Sequence, residues 1–202
     1  MEVNFKKTVL EMDKLNSYIR IFDDVLPEDT LKTFRKICEE HVDYDYGEIV
    51  GKGRQEIDLE VRNVKLKTLS NIYDKSFTTV HWASFLLFKF KENINRYIND
   101  FNMANFNCSV IDIQILKYEK GGHYKFHTDH GPTTPRTLSL IYFVNDDFEG
   151  GNLNFKLVGS EGKMAIEKKP NRLVIWPSNF MYPHCITPVE SGTRYSVVAW
   201  AL

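Results

Sequence analysis

The sequence predicts a single α+β domain. Residues 1–105 supply helical support and a lid region, and residues 106–202 form a core of about eight short strands in a two-sheet sandwich or barrel. Three observations lead there. Two segments before residue 105 repeat their apolar residues at a helical period. After it, short alternating runs are separated by turn residues. No repeat, low-complexity run or Pro/Gly linker divides the 202 residues, and 43% hydrophobic content is enough to bury one sizeable core.

The elements follow in order. From Pro27 to about His41, Leu31, Phe34, Ile37 and Cys38 fall on one face, and Pro27 suits a first helical turn. Residues 44–62 alternate and carry Gly47, Gly51 and Gly53, which reads as a hairpin or a mobile loop able to act as a lid. From about Val80 to Phe101, Trp82, Phe85, Leu86, Phe90, Ile94, Tyr97, Ile98 and Phe101 follow a helical period and form a packing face. The strands are SVIDIQILKYE, HYKFHTDH, TLSLIYFVN, NLNFKLV, KMAIEKK, RLVIWP, YPHCITPV and RYSVVAWAL. TLSLIYFVN is apolar on both faces, so one face meets the strand interior and the other the N-terminal helices. Asn145-Asp146-Asp147 and Glu149-Gly150-Gly151 mark the turn after it.

Composition excludes several classes. A net charge of −1 makes no bulk electrostatic case for nucleic acid or an anionic membrane. The N-terminus, MEVNFKKTVLEMDK, mixes acids with its apolar residues and does not read as a signal peptide. No run approaches membrane-spanning length. Three widely spaced cysteines, Cys38, Cys108 and Cys185, suggest a reducing compartment, hence a cytoplasmic location.

Chemistry concentrates in the C-terminal half. His127 and Asp129 stand in HTDH, and in a strand residues i and i+2 share a face, so both can reach one ion. A buried His–Asp hydrogen bond is the alternative for this pair. A second His-x-Asp, His41 and Asp43, follows a helical stretch, where charged residues near the helix end are ordinary. His184, in MYPHCITPV, is the candidate third ligand; a half-buried strand histidine is its alternative. Strand parity turns His130 and Cys185 away from the set. The turn 189–192 is expected to return the chain into the last strand, pairing Arg194's strand with that of His184 in a hairpin. There Arg194, Ser196, Val198 and Trp200 share an inward face, and an interior arginine calls for a carboxylate. Tyr118, Tyr124, Arg136 and Trp200 flank these elements as pocket residues or, alternatively, as core and surface. Two imidazoles and one carboxylate leave the other positions of an octahedral metal open, as in the non-haem Fe(II) facial triad.

From about residue 110 to the end the sequence resembles the prolyl 4-hydroxylase-like branch of the 2-oxoglutarate/Fe(II) dioxygenases. Tyr118, Gly121, Gly122 and Tyr124 carry the likeness, then His127 and Asp129, Arg136 and Thr137, residues 149–155, His184, Gly192, Arg194 and Trp200. The resemblance implies a double-stranded β-helix (jelly-roll) core with the helices packed on one sheet. It also implies Fe(II) held by His127, Asp129 and His184, and 2-oxoglutarate held through its far carboxylate by Arg194, with Tyr118 and Ser196 assisting. Tyr124, Arg136 and Trp200 match positions on the substrate side. The implied reaction consumes 2-oxoglutarate and O2, with ascorbate as an accessory reductant, and hydroxylates a C–H bond, most directly on proline in a peptide or protein. The alternatives are a free amino acid, another side chain or a nucleobase, or, in a different class, a metal-free jelly-roll binding module. Phe143 stands where some relatives have a tyrosine that holds the cosubstrate. Leu202 ends the sequence where some carry a further histidine near the substrate.

Overall fold

The computed structural model describes residues 13–51, 54–70, 76–103, 106–157 and 161–202. A one-turn helix α1 (Asp13–Asn16) and strand β1 (Arg20–Phe22) precede helix α2 (Glu28–Glu40). Five short strands follow: β2 (Asp45–Tyr46), β3 (Ile49–Gly51), β4 (Arg54–Glu56), β5 (Arg62–Asn63) and β6 (Lys65–Thr68). Helix α3 (Phe77–Asp100) leads to β7 (Val110–Tyr118), β8 (His123–His127), β9 (Leu138–Phe143), β10 (Glu149–Gly150) and β11 (Leu153–Lys156). The chain closes with β12 (Lys163–Ile166), β13 (Arg172–Pro177), β14 (His184–Ile186), β15 (Val189–Ser191) and β16 (Arg194–Ala201).

The strands form a jelly roll of two facing sheets. The larger runs β1-β13-β9-β16-β7-β6-β2 and the smaller β12-β11-β14-β8-β5, with two-stranded ribbons β10-β15 and β3-β4 beside them. All the strand pairs are antiparallel. The N-terminal half does more than support the core, since β1, β2 and β6 extend the larger sheet and β5 edges the smaller.

Strand parity divides the interior in two. On β9, Leu138, Leu140 and Tyr142 face the helices, while Ile141 and Phe143 face the smaller sheet. The same split separates Leu173 and Ile175 from Val174 and Trp176 on β13. Helices α2 and α3 cover the outer face with Phe34, Cys38, Leu86, Phe90 and Ile94, all buried. The larger sheet is therefore apolar on both sides, and the inner layer is left free to hold polar residues.

Helix α2 begins one residue later than its proline implied. Pro27 is the N-cap, with φ −57° and ψ 143°, rather than a first-turn residue. Glu28 and Asp29 occupy the first turn, where acids complement the helix dipole. Helix α3 begins earlier than expected, at Phe77, because the Ser76 hydroxyl caps it by accepting from the Thr79 N–H at 3.4 Å. Phe77 is 93% exposed, so periodicity alone gives no sign of this first turn. Asn171, in the left-handed region at φ 66°, fastens the entry of α2 to the larger sheet. Its side chain accepts from the Leu26 N–H at 2.8 Å and the Tyr142 hydroxyl at 3.0 Å, and donates to the Leu26 carbonyl at 2.7 Å.

Two expectations about register are corrected. Residues 189–191 are not a turn but strand β15, paired with β10. The strand of Arg194, β16, does not pair with that of His184. β16 lies between β9 and β7 in the larger sheet, and β14 lies between β11 and β8 in the smaller. The two side chains meet across the sandwich, because the ribbon β10-β15 carries the chain from one sheet to the other. Residues 44–62 form β2, the β3-β4 hairpin and the start of β5, with 52 and 53 outside the described residues. Among the described residues no helix is long and apolar enough to cross a membrane.

Phe90 is fully buried between α3 and the larger sheet, with its ring 6.4 Å from that of Tyr142. Phe90→Ala should lower stability by about 3–5 kcal/mol. Urea unfolding should show a lower midpoint at unchanged slope.

Candidate metal and cosubstrate site

His127 ends β8 and stands directly opposite His184 of β14 in the antiparallel register. Their rings are 4.4 Å apart. Asp129 lies two residues past the end of β8, so the strand-parity argument for His127 and Asp129 does not apply as stated. What places the carboxylate is hydrogen bonding. The Ser139 hydroxyl on β9 donates to Asp129 Oδ2 at 2.7 Å and is itself 2.7 Å from the Ser178 hydroxyl. The His130 N–H donates to the Ser178 carbonyl at 3.0 Å, fixing the chain beyond the acid.

The three side chains converge. Asp129 Oδ1 is 3.6 Å from His127 Nε2, and Oδ2 is 3.4 Å from His184 Nε2. One ligand atom from each lies within 4.8 Å of the others. Each imidazole turns its Nδ1 to a backbone carbonyl, His127 to Lys125 at 2.9 Å and His184 to Tyr182 at 3.2 Å. With the Nδ1 proton so engaged, Nε2 presents a lone pair. Burial pushes His184 down to about 4, so it is neutral at pH 7. Burial also pushes the Asp129 carboxyl upward, but the two imidazoles and the Ser139 hydroxyl outweigh it and hold the group below the usual carboxylate range. Two imidazole nitrogens and a carboxylate facing one point fit a divalent cation.

Arg194 supplies the second feature. It is 0% exposed, and its Nη1 donates to Ser196 Oγ at 2.8 Å. Nε and Nη2 have no partner, and no described carboxylate lies within ion-pair distance. The guanidinium lies between the rings of Tyr118 and Phe143, 5.1 and 5.2 Å from its carbon. Burial lowers its pKa to about 10, which leaves it cationic at pH 7. A buried cation with two orphan donors fits a carboxylate of a bound acid. Gly151, at φ 58°, makes room for the stem: a Cβ there would stand 3.1 Å from Arg194 Cδ.

A cavity of about 100 Å³ joins His127, Asp129 and His184 to the expected substrate-side residues. Tyr124 stacks on His127 with ring centroids 3.6 Å apart, and the Arg136 guanidinium lies 3.6 Å over the Trp200 ring. Arg136 Nη1 is also 3.9 Å from Asp129 Oδ1. Tyr118 lines the cavity, and Arg194 packs behind it. Phe143 offers no hydroxyl here, and Tyr118 is the phenol beside the guanidinium. His130 is exposed, with its Nδ1 2.8 Å from the Arg136 carbonyl, and Cys185 is buried and free. His41 and Asp43 are exposed at the end of α2 and join no metal-ligating cluster among the described residues.

Three residues escaped the sequence reading. Ser139 had a signal, a hydroxyl inside the apolar run LSLIYF. Trp176 sets its ring edge-on to His184 at 4.9 Å, and its indole N–H has no partner. Arg62 lies over the Tyr124 ring at 4.9 Å, and nothing in the sequence near it announces this position.

The comparisons with known proteins agree with this geometry. Residues 113–202 match the family described as the 2OG-Fe(II) oxygenase superfamily. Over these residues, a little under half of the chain, the sequence is similar to a 2OG-Fe(II) oxygenase core. A PKHD-type hydroxylase of Synechococcus sp. strain CC9902 is 35% identical over 98 residues, covering 45% of this chain and 41% of the relative. One from strain CC9605 is 33% identical over 95 residues, with the same coverage. The matched stretch thus spans less than half the length of these curated relatives. The two sheets and their helices also superpose on solved structures. A Pseudomonas putida prolyl-4-hydroxylase matches at a TM-score of 0.67 and 17% identity, covering 94% of this chain and 95% of that one. A Trichoplax adhaerens prolyl hydroxylase, solved with a hypoxia inducible factor oxygen degradation domain peptide, matches at 0.69 and 17%, covering 95% and 86%. At that identity the likeness is one of fold. The family implies Fe(II), 2-oxoglutarate and O2, and the donor set and the orphaned guanidinium suit the first two.

His127→Ala, Asp129→Ala and His184→Ala should each abolish stoichiometric Fe(II) uptake, whereas His41→Ala and Asp43→Ala should retain it. Full uptake by His184→Ala would remove that residue from the ligand set. Arg194→Ala should weaken 2-oxoglutarate binding by about 2–5 kcal/mol, roughly 30-fold or more, with iron uptake little changed. Calorimetry in the absence of O2 measures both.

Proposed function

We propose that the protein is a 2-oxoglutarate- and O2-dependent Fe(II) hydroxylase acting on proline in a peptide or protein. The observation that carries the oxygenase reading is the pairing of His127, Asp129 and His184 with a fully buried arginine whose Nε and Nη2 have no protein partner. A metal site alone would suit many reactions. A metal site with a waiting carboxylate receptor suits a keto acid that binds at both ends.

In this reading His127, Asp129 and His184 hold Fe(II). Arg194, with Ser196 and Tyr118 beside it, takes the far carboxylate of 2-oxoglutarate and so orients the keto acid. When bound, the iron couples oxidative decarboxylation of 2-oxoglutarate to insertion of oxygen into a C–H bond. The protein's part is positioning and exclusion of water. Ser139 keeps the Asp129 carboxylate turned toward the imidazoles. Phe155 and Trp176 pack against His184, with ring centroids at 5.7 and 4.9 Å, and keep that side dry.

Proline is favoured by the shape and chemistry of the mouth. Trp200, with Arg136 over one face of its ring, lines the cavity as an apolar wall for a pyrrolidine ring, and Tyr124 and Arg136 can donate to peptide carbonyls. Relatives described as PKHD-type hydroxylases, and prolyl hydroxylase folds of which one holds a peptide, support the same choice. Three free, buried cysteines suit a reducing compartment such as the cytoplasm.

Incubation of proline-rich peptides with enzyme, Fe(II), 2-oxoglutarate, ascorbate and O2 should add one oxygen on proline, read by mass spectrometry. The gain should disappear in Tyr124→Ala and Trp200→Ala. Succinate release driven by another amine or a nucleobase, with no proline peptide modified, would overturn the prolyl assignment. Residues 44–62 should act as the lid of this site, since β2 and Arg62 border its mouth. Hydrogen exchange there should slow when a peptide joins Fe(II) and 2-oxoglutarate; equal exchange with and without peptide counts against closure.

A further inference from the structure

Arg62 on β5 pairs in register with Tyr124 on β8. Its guanidinium lies 4.9 Å over the Tyr124 ring, and that ring stacks on the candidate metal ligand His127. Its position is built rather than incidental. Nη1 donates to the Glu48 carbonyl at 2.7 Å, and a Cβ on Gly47 would come within 3.0 Å of Nε. Nε itself is buried without a partner.

Arg62 also stands where two spaces meet. It lines the inner cavity of about 100 Å³ and an outer groove of about 710 Å³ that share Tyr124, His127, Asp129 and Arg136. The other charges near the inner end are occupied. Arg136 covers Trp200 and approaches Asp129. Asp129 is bound by Ser139, and Asp112 by the Ser70 hydroxyl at 2.6 Å and the Gln114 amide at 2.9 Å. Asp45 and Glu48 border the groove but are exposed, and among the described residues no carboxylate lies within ion-pair distance of Arg62. The groove therefore presents one uncompensated guanidinium, a single ring away from the metal ligands.

We propose that Arg62 is a specificity residue that binds a carboxylate of the substrate, carried within one or two residues of the carbon that is oxidised. A guanidinium selects a carboxylate over a neutral carbonyl by charge and by its forked donors. A half-covered cation with no ion-pair partner among the described residues gains more from an anion than from water. Two sources fit this chemistry, an acidic side chain next to the reacting residue and the terminal carboxylate of the substrate chain. The inference rests on the hydroxylase reading for what happens at the metal, but binding tests it without turnover.

The experiment is calorimetry without O2 on protein loaded with Fe(II) and 2-oxoglutarate. Two pairs of otherwise identical peptides are compared: Pro-Asp against Pro-Asn within the chain, and a C-terminal proline as free acid against its amide. Wild type should bind the carboxylate member of one pair at least ten-fold tighter, and the pair that discriminates identifies the source. Arg62→Gln should bring the two members within two-fold of each other, and Arg62→Lys should restore part of the preference. A general loss of folding would weaken both members alike and leave their ratio in place. Equal binding of both members by wild type, failure of all four peptides to bind, or a preference that survives in Arg62→Gln overturns the proposal. A preference for the acid member with no succinate or oxygenated product on adding O2 overturns the hydroxylase reading and leaves the role of Arg62 standing.

Discussion

Asp129 is a carboxylate almost wholly removed from water, and its neighbours are arranged around that fact. An ionised carboxylate in such a place is costly unless charge or hydrogen bonds replace its hydration. Ser139 supplies one bond from the larger sheet, and the imidazoles of His127 and His184 approach from the smaller. The two sheets are thus joined through the site as well as through their apolar core. The polar group that most needs satisfying is also the carboxylate of the candidate metal site.

Arg194 poses the mirror-image problem. It is a cation sealed between aromatic rings with one neutral partner and two donors left over. The fold carries this cost because the larger sheet is well stabilised on its other face, where α2 and α3 bury a continuous apolar layer. The same strand serves both ends: Tyr195, Val197 and Ala199 pack under the helices, while Arg194 and Ser196 face inward. The helical layer and the buried guanidinium are on opposite faces of one element. A defect in helix packing would therefore be felt at Arg194 through the placement of β16.

The mouth of the site divides charge in a graded way. Near the candidate metal ligands the guanidiniums of Arg62 and Arg136 lie against the rings of Tyr124 and Trp200. Farther out, Asp45 and Glu48 border the groove. Aromatic rings under guanidiniums hold the cations in place without neutralising them, because a ring face attracts positive charge but carries none of its own. Arg136 lies 3.9 Å from Asp129, which leaves Arg62 as the guanidinium there with no ion-pair partner among the described residues.

Much of this was legible in the sequence, and the limit falls at a definite physical line. Alternation along a strand reports which face a side chain takes, so the inward set Arg194, Ser196, Val198 and Trp200 and the two-sided burial of β9 could be read directly. Helical periodicity likewise marked the faces of α2 and α3. Which strands become neighbours is a different question. Pairing depends on long-range packing, and no local pattern states that β14 opposes β8 or that β16 lies in the other sheet. The ligand trio is therefore a sequence inference in its membership and a tertiary fact in its geometry. Asp129 reaches its place past the end of a strand through Ser139 rather than through parity. Arg62 arrives from the N-terminal half on a two-residue strand too short to announce itself, and only the closing of β5 on β8 brings it to the site.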